Sequence, residues 1–395
     1  MRKRLTMLFA LLAVFALVAA ACGSDDTEDA DSGSDSESAS ASETAEESTD
    51  DADGDDEAMA DDEAMEDDEA MADGGPSIGL VYDIGGRGDQ SFNDSAAAGL
   101  ERSAAELGAT FSEASPNADG SDRAELLQLQ ADNSEIVIGV GFLFADSVRE
   151  VAANNPDVNF AVVDDAMLDF DNGAVPWGDN IAGLTFAEEQ GSFLVGAAAA
   201  LNSESGTIGF VGGVCCFGLI EKFEAGYVAG AQAVNPDIEI VTNYITEAPD
   251  FDGFNAPDRA RETSLAMYEA GADVVYHAAG GSGAGLFEAA KEYSEANDTK
   301  VWAIGVDSDQ YLTVDPEVQE YVLTSMLKRV DNSVFEIVSA QADGSFAAGN
   351  TVYDLSTDGV GYSTSGDFLS DDAIAQLEDF KAQIVAGDIV VPTEP

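Results

Sequence analysis

From residue 76 onward the chain alternates short, β-branched apolar runs with longer amphipathic stretches, and this rhythm restricts the fold more than any other feature. The runs at residues 78–82, 136–140 and 160–163 read as buried strands, with helical spacing over residues 95–107 and 145–153. The second half repeats the pattern. Residues 207–211 precede a helical stretch at 220–233, 238–244 precede 257–270, 274–276 precede 285–295, and a further apolar run follows at 301–306. Short strands separated by helix-length segments predict βαβ units, and hence parallel sheets covered by helices. The 320 residues of 76–395 are many for a single doubly wound sheet, so two α/β lobes are the natural division. In such folds ligands sit beyond the carboxyl ends of the strands, so two facing lobes make a cleft, and function belongs in the loops that directly follow strands.

The start of the chain is of another kind. Arg2, Lys3 and Arg4 precede an apolar run over residues 5–21 that is short for a membrane span and ends in small residues, as a secretory leader does. Cys22 directly follows Val18-Ala19-Ala20-Ala21, resembling a bacterial lipobox with Ala19 where Leu is usual; residues 1–21 are therefore expected to be a signal peptide and Cys22 the lipidated N-terminus. Residues 22–75 are expected to form a disordered acidic stalk. Residues 24–75 hold 24 acidic and no basic residues, and residues 55–72 are three tandem six-residue units beginning Asp-Asp-Glu-Ala-Met. Self-repulsion and a scarcity of apolar surface leave such a segment extended. No EF-hand spacing accompanies its carboxylates, so a spacer is favoured over a calcium site.

The whole chain carries 78 acidic and 15 basic residues, a formal charge of -63, and the part outside the stalk and leader is also strongly acidic. That excludes a nucleic-acid polymer as partner, since phosphate backbones need a basic footprint, and it excludes electrostatic adhesion to anionic lipid. Apart from Cys22 the cysteines are the neighbours Cys215 and Cys216, which rule out a disulfide framework and are read as packed thiols in preference to a vicinal pair. With one histidine, His277, there is no metal-binding pattern, and no cofactor is expected.

Four strand-end loops carry the candidate chemistry. The first runs Asp83-Ile84-Gly85-Gly86-Arg87-Gly88-Asp89-Gln90-Ser91-Phe92-Asn93-Asp94. Asp83 should point into the cleft, Phe92 is an aromatic in a polar loop, and Ser91, Asn93 or Asp94 is positioned to cap a helix beginning near Ser95. Asp164 and Asp165 end another strand; neighbours on a strand point oppositely, so one faces the cleft and the other serves a turn. Asp307 ends the run at 301–306, and Lys328 is one of few cations, suited to pairing with a cleft carboxylate or a ligand oxygen. The glycine-rich loop at 280–285 lacks both GxGxxG spacing and a P-loop lysine, so it reads as close backbone approach to an uncharged ligand. His277 before it is read as structural.

Taken together these loops resemble the basic membrane protein (Bmp) family, the purine-nucleoside receptor lipoproteins that serve ABC importers. The resemblance rests on Gly88-Asp89-Gln90-Ser91-Phe92-Asn93-Asp94, Glu188-Glu189-Gln190-Gly191-Ser192-Phe193-Leu194-Val195-Gly196, Gly209-Phe210-Val211-Gly212-Gly213 and Phe223-Glu224-Ala225-Gly226-Tyr227-Val228-Ala229-Gly230, and on residues 279–285, 304–310 and 324–328. It implies a two-lobe type I periplasmic-binding-protein fold, with lobe 1 mainly residues 76–185 plus a later crossover segment, and lobe 2 mainly 186–304 plus C-terminal segments. It also implies a purine held between two aromatic rings, one from each lobe. Phe92 matches the first; Phe254 matches the second, with Phe251 competing and Ala256 replacing an Asp. Asp83 and Asp164 match acidic positions that hydrogen-bond the ligand, with Asn93 nearby; Asp307 and Lys328 match the pair that contacts ribose, and Gly281 a backbone contact.

The expected partners are thus a small-molecule nucleoside, an ABC permease and, through the lipid, the extracytoplasmic face of the cell membrane. A sugar or other small polar ligand also suits aromatics and carboxylates, and a sensor subunit fits the same fold. An extracellular nucleosidase is disfavoured because the chain has no nucleophile elbow, metal cluster or histidine-based acid–base pair, so no enzyme is expected.

Overall fold

The computed structural model describes residues 74–395; the expected signal peptide, Cys22 and nearly all of the expected stalk lie outside the described residues. In chain order the strands are β1 (Ser77–Val81), β2 (Thr110–Ala114), β3 (Ile136–Gly139), β4 (Asn159–Val163), β5 (Leu168–Asp169), β6 (Val175–Pro176) and β7 (Ile181–Phe186). They continue as β8 (Thr207–Cys215), β9 (Glu239–Glu247), β10 (Val274–Ala278), β11 (Trp302–Asp307), β12 (Val322–Lys328), β13 (Gly349–Tyr353) and β14 (Val360–Tyr362). The helices are α1 (Phe92–Leu107), α2 (Arg123–Ala131), α3 (Ala145–Asn154), α4 (Glu188–Asn202), α5 (Ile220–Val234) and α6 (Pro257–Glu269). After them come α7 (Ala284–Asn297), the single turns α8 (Gln310–Thr313) and α9 (Pro316–Gln319), then α10 (Val330–Ala342) and α11 (Asp371–Ala386).

Two six-stranded sheets result. The first has the order β13-β7-β4-β3-β1-β2 and is parallel throughout; the second has the order β14-β12-β11-β10-β8-β9 and is parallel except for β14. Central strands such as β3 and β10 are buried along their whole length, because helices cover both faces of a parallel sheet. This is why they appear in the sequence as apolar runs, interrupted in β10 by His277. β2 is the opposite case: Thr-Phe-Ser-Glu-Ala is exposed at four of five positions and is held at the sheet edge by its register with β1.

The chain passes between the sheets three times, after β7, after β12 and after β13. The passages are tied together where Ala187 N–H donates to the Tyr353 carbonyl at 2.9 Å and the Phe186 and Tyr353 rings stack at 5.2 Å. Two of the glycine-containing motifs behind the family resemblance prove to be architectural. α4 and α5 pack against each other so closely that a Cβ on Gly226 would lie 2.1 Å from the Glu189 carbonyl oxygen, and one on Gly230 1.9 Å from that of Phe193. Only glycine permits that approach.

Candidate functional site

The carboxyl ends of both sheets face one cleft. Asp83, Phe92, Asn93, Phe142 and Asp164 come to it from the first lobe, and Phe223, Phe254, Asp307 and Lys328 from the second, with Ile84, Asp89, Leu219, Ile220, Val306 and the backbone of 278–280 completing the wall. The cavity itself is about 60 Å³, and the empty space with its mouth included about 550 Å³, so the slot is narrow.

Its centre is an ion pair between the lobes. Lys328, 2% exposed at the end of β12, places Nζ 2.7 Å from both carboxylate oxygens of Asp164, at the end of β4. Glu188 lies 3.6 Å from the same ammonium and pairs in turn with Lys222 at 3.2 Å. The rings of Phe92, Phe186 and Phe223 surround Nζ at 5.0, 5.1 and 5.6 Å, a cation–π arrangement. Burial would lower the lysine pKa, but Asp164, Glu188 and Asp307 together raise it above its ordinary value. Lys328 is therefore a buried strand-end cation.

Asp164 and Asp307 both have positive φ, 68° and 63°, a backbone region that non-glycine residues adopt rarely and mainly where their surroundings fix it. Burial raises the carboxyl of Asp307 to about 7 against the opposing pull of Lys328, and its side chain accepts a hydrogen bond from Ser91 of the other lobe. Asp83 is likewise raised to about 7 by burial, and Asp164 is raised for the same reason. Asp165 lies outside the cleft wall and accepts the Met167 N–H at 2.7 Å in a turn. The two neighbouring aspartates divide the roles, but past the end of β4 and with Asp164 in a left-handed conformation, so the division comes from the turn and not from strand alternation. Space for Asp83 depends on Gly141, which has φ +103°: a Cβ there would lie 2.2 Å from the Asp83 carboxylate.

The first loop is organised by Asp89. Its carboxylate accepts the backbone N–H groups of Ser91 at 2.9 Å, Asn93 at 2.9 Å and Asp94 at 3.1 Å, satisfying the free donors at the start of α1. This corrects the capping expectation: the helix begins at Phe92, and no side-chain cap comes from Ser91. Asn93 spends its polar atoms on the loop, accepting Asp83 N–H at 2.9 Å and donating to Ile84 O at 3.3 Å and to Asp89 at 3.0 Å. Its geometry is that of a positioning group. His277 is buried and holds Gln310 through Nε2 at 2.9 Å; because the same Gln310 oxygen accepts Val306 N–H, the hydrogen-bond network assigns the proton to Nε2. Burial lowers the His277 pKa to about 4, so the ring is neutral at pH 7.

A family model described as the ABC transporter substrate-binding protein PnrA-like family, Bmp, matches residues 77–394. The chain belongs to the Bmp family. Among its relatives it is 34% identical to the CD4+ T-cell-stimulating antigen of Listeria monocytogenes, over 81% of this chain and 88% of that protein. It is 33% identical to the ABC transporter nucleoside-binding protein BmpA of Lactococcus lactis, over 80% of this chain and 88% of the relative. Among solved structures, an ABC transporter solute-binding protein from Aeropyrum pernix superimposes with a TM-score of 0.67 at 26% identity, covering 80% of this chain and 94% of that one. The two-lobe binding-protein architecture and a substrate-binding role in ABC transport follow from membership.

Within this Bmp protein, seven of the eight expected ligand residues line the one cleft. Gly281 does not; its neighbour Gly280 does, while Gly281 packs beside Asp89 and Asn255. Of the competing phenylalanines, Phe254 reaches the cleft and Phe251 packs against other rings instead. Sequence reasoning did not single out Phe142 or Phe223 as site residues: Phe142 lies in an apolar segment, Phe-Leu-Phe, with nothing to distinguish ligand wall from core, and Phe223 reads as one position of a helical motif. Cys215 and Cys216 are joined in a vicinal disulfide, with Cys216 at φ 76°, which corrects the reading of packed free thiols.

Proposed function

We propose that this protein is a lipid-anchored extracytoplasmic receptor that captures nucleosides, purine nucleosides above all, and presents them to an ABC permease. The observation that carries this reading is a narrow cleft with an aromatic ring from each lobe, Phe92 and Phe254, beside buried carboxylates from both, Asp83, Asp164 and Asp307. Base–aromatic stacking contributes about 1–3 kcal/mol per base and is not restricted to one base. Ribose hydroxyls are donors whose natural acceptors are ionised carboxylates, and a site built for hydroxyls discriminates against ligands that lack them. The name of the Lactococcus relative, nucleoside-binding protein, supports the same ligand class. The Cys22 lipobox and acidic stalk support anchoring on the outer side of the membrane.

A binding role without catalysis is supported by the chemistry of the cleft. Its carboxylates are engaged with Lys328, Ser91 and backbone donors, and the neutral His277 is turned to Gln310. Calorimetric titration with inosine, guanosine, adenosine, uridine, ribose and inosine monophosphate, with the ligand recovered afterwards, tests the proposal. The expected result is tight binding of a purine nucleoside returned intact. The monophosphate should be rejected, because its charge would enter a site holding four aspartates and one lysine. Equal affinity for nucleoside and monophosphate would sink the electrostatic argument; preference for ribose alone would make this a sugar receptor, and a cleaved ligand a hydrolase.

A further inference from the structure

At one rim of the cleft, four phenylalanine rings form a cluster that the proposed base stacking leaves largely unused. Phe142 belongs to the first lobe, on the loop after β3; Phe217, Phe251 and Phe254 belong to the second. Phe142 and Phe217 stack across the gap at 4.9 Å with an interplanar angle of 27°. Phe251 meets Phe142 edge-on at 5.7 Å and Phe217 edge-on at 5.8 Å, and Phe217 meets Phe254 edge-on at 6.4 Å. The stack thus joins one lobe to the other, and Phe217 connects it to the ring proposed to cover the base.

Phe217 owes its position to an unusual turn. It directly follows the Cys215–Cys216 disulfide at the end of β8, and the Glu221 carboxylate accepts the N–H groups of Cys216 and, at 2.8 Å, Gly218. The same turn then delivers Leu219 and Ile220 to the cleft wall. A disulfide stabilises a fold chiefly by closing a long loop in the unfolded chain. One between neighbours closes no such loop and ties no distant elements together, so its effect is confined to the shape of this turn.

We propose that Phe142 and Phe217 form an aromatic clasp that holds the lobes together over the bound ligand, and that the Cys215–Cys216 disulfide is the device that presents Phe217 to it. The ligand half of this inference rests on the nucleoside reading; the clasp itself does not.

The full chain can be tested in two ways. Without ligand, amide hydrogen exchange is followed over residues 139–145, on the lobe opposite the disulfide. Phe217→Ala is expected to speed exchange there several-fold, and so is the variant Cys215→Ser/Cys216→Ser; Phe217→Leu should have a smaller effect. Phosphine reduction to two thiols should act like the double serine variant, since Cys216 is exposed. With inosine as probe, Phe142→Ala and Phe217→Ala should each speed dissociation about two- to tenfold, the range expected of an aromatic pair, and the double variant should be no faster than the singles. Unchanged exchange around Phe142, or independent and multiplying effects on dissociation, overturns the clasp. Changes with Phe217→Ala but none on reduction or serine replacement overturn the role of the disulfide. If exchange responds as expected but inosine binds neither parent nor variants, the clasp stands and the nucleoside reading fails.

Discussion

On the proposed reading, Phe92 and Phe254 are the residues on which ligand recognition turns. Replacing either by Ala should weaken inosine binding by about 1–3 kcal/mol, whereas Phe251→Ala, whose ring lies outside the cleft wall, should cost less; calorimetry that ranks Phe251 first would reverse the assignment. The carboxylates give a pH signature. Asp83 and Asp307 are raised from 3.8 to about 7, so the folded protein retains protons there that the unfolded chain has lost. Their contribution to stability is complete below about pH 4 and is lost as the pH rises to about 7. Each costs at most about 4 kcal/mol above that window. Ligand donors favour the ionised form, so nucleoside affinity should change in the opposite sense, tightening by up to about tenfold per pH unit per carboxylate and levelling off above neutrality. Asp307→Asn should flatten both profiles. Unliganded melts and titrations between pH 5 and 8 that show the same slopes in parent and variant would refute this linkage.

At the level of elements, the first turn of α1 does most to shape the site, because it carries both Phe92 and Asn93 and is held by a carboxylate outside the helix. Asp89→Ala removes the carboxylate that accepts three backbone N–H groups at that turn. Losing a cap of this kind costs about 0.5–2 kcal/mol, so a lowered melting temperature should accompany weaker inosine binding, while Asp89→Asn should retain part of both. A normal affinity in Asp89→Ala would mean that the turn does not depend on this carboxylate. The helix start was misplaced from sequence because Ser, Asn and Asp are all good caps and crowd the same loop. The acceptor actually used, Asp89, lies five residues before Asp94, the last N–H it receives, a reach that only the folded loop reveals. Several other elements leave no clear pattern in the sequence. β2 is a polar edge strand, α4 is apolar nearly all round, and the β5–β6 hairpin occupies a place where the βαβ rhythm suggests a helix.

For the molecule as a whole, the Lys328–Asp164 pair spans the gap between two independently built sheets, so it couples lobe position to the charge balance of the cleft. Lys328→Met should leave Asp164 and Glu188 buried without a cation between them and destabilise the fold by about 3–5 kcal/mol, with partial recovery when Asp164→Asn is added. Denaturant titration of the single and double variants measures this coupling, and additive losses would show that the pair is not a unit. Three chain crossings, at Ala187, Arg329 and Asp354, also join the two sheets.

The sequence by itself determined the architecture: apolar runs of strand length alternating with helical stretches leave little choice but parallel sheets with covered faces, and chain length implied two of them. It also located most of the cleft, because strand-end loops are where such sheets place ligands and Asp83, Phe92, Asp164 and Asp307 each stand at or just after such an end. Tertiary structure decided everything that depends on one lobe meeting the other. Lys328 and Asp164 are 164 residues apart, and the stacked Phe142 and Phe217 are 75 residues apart; neither pair leaves a local pattern. Hydrophobic periodicity records which face of an element is buried, whereas a contact between lobes is fixed by how two finished sheets are aimed at each other.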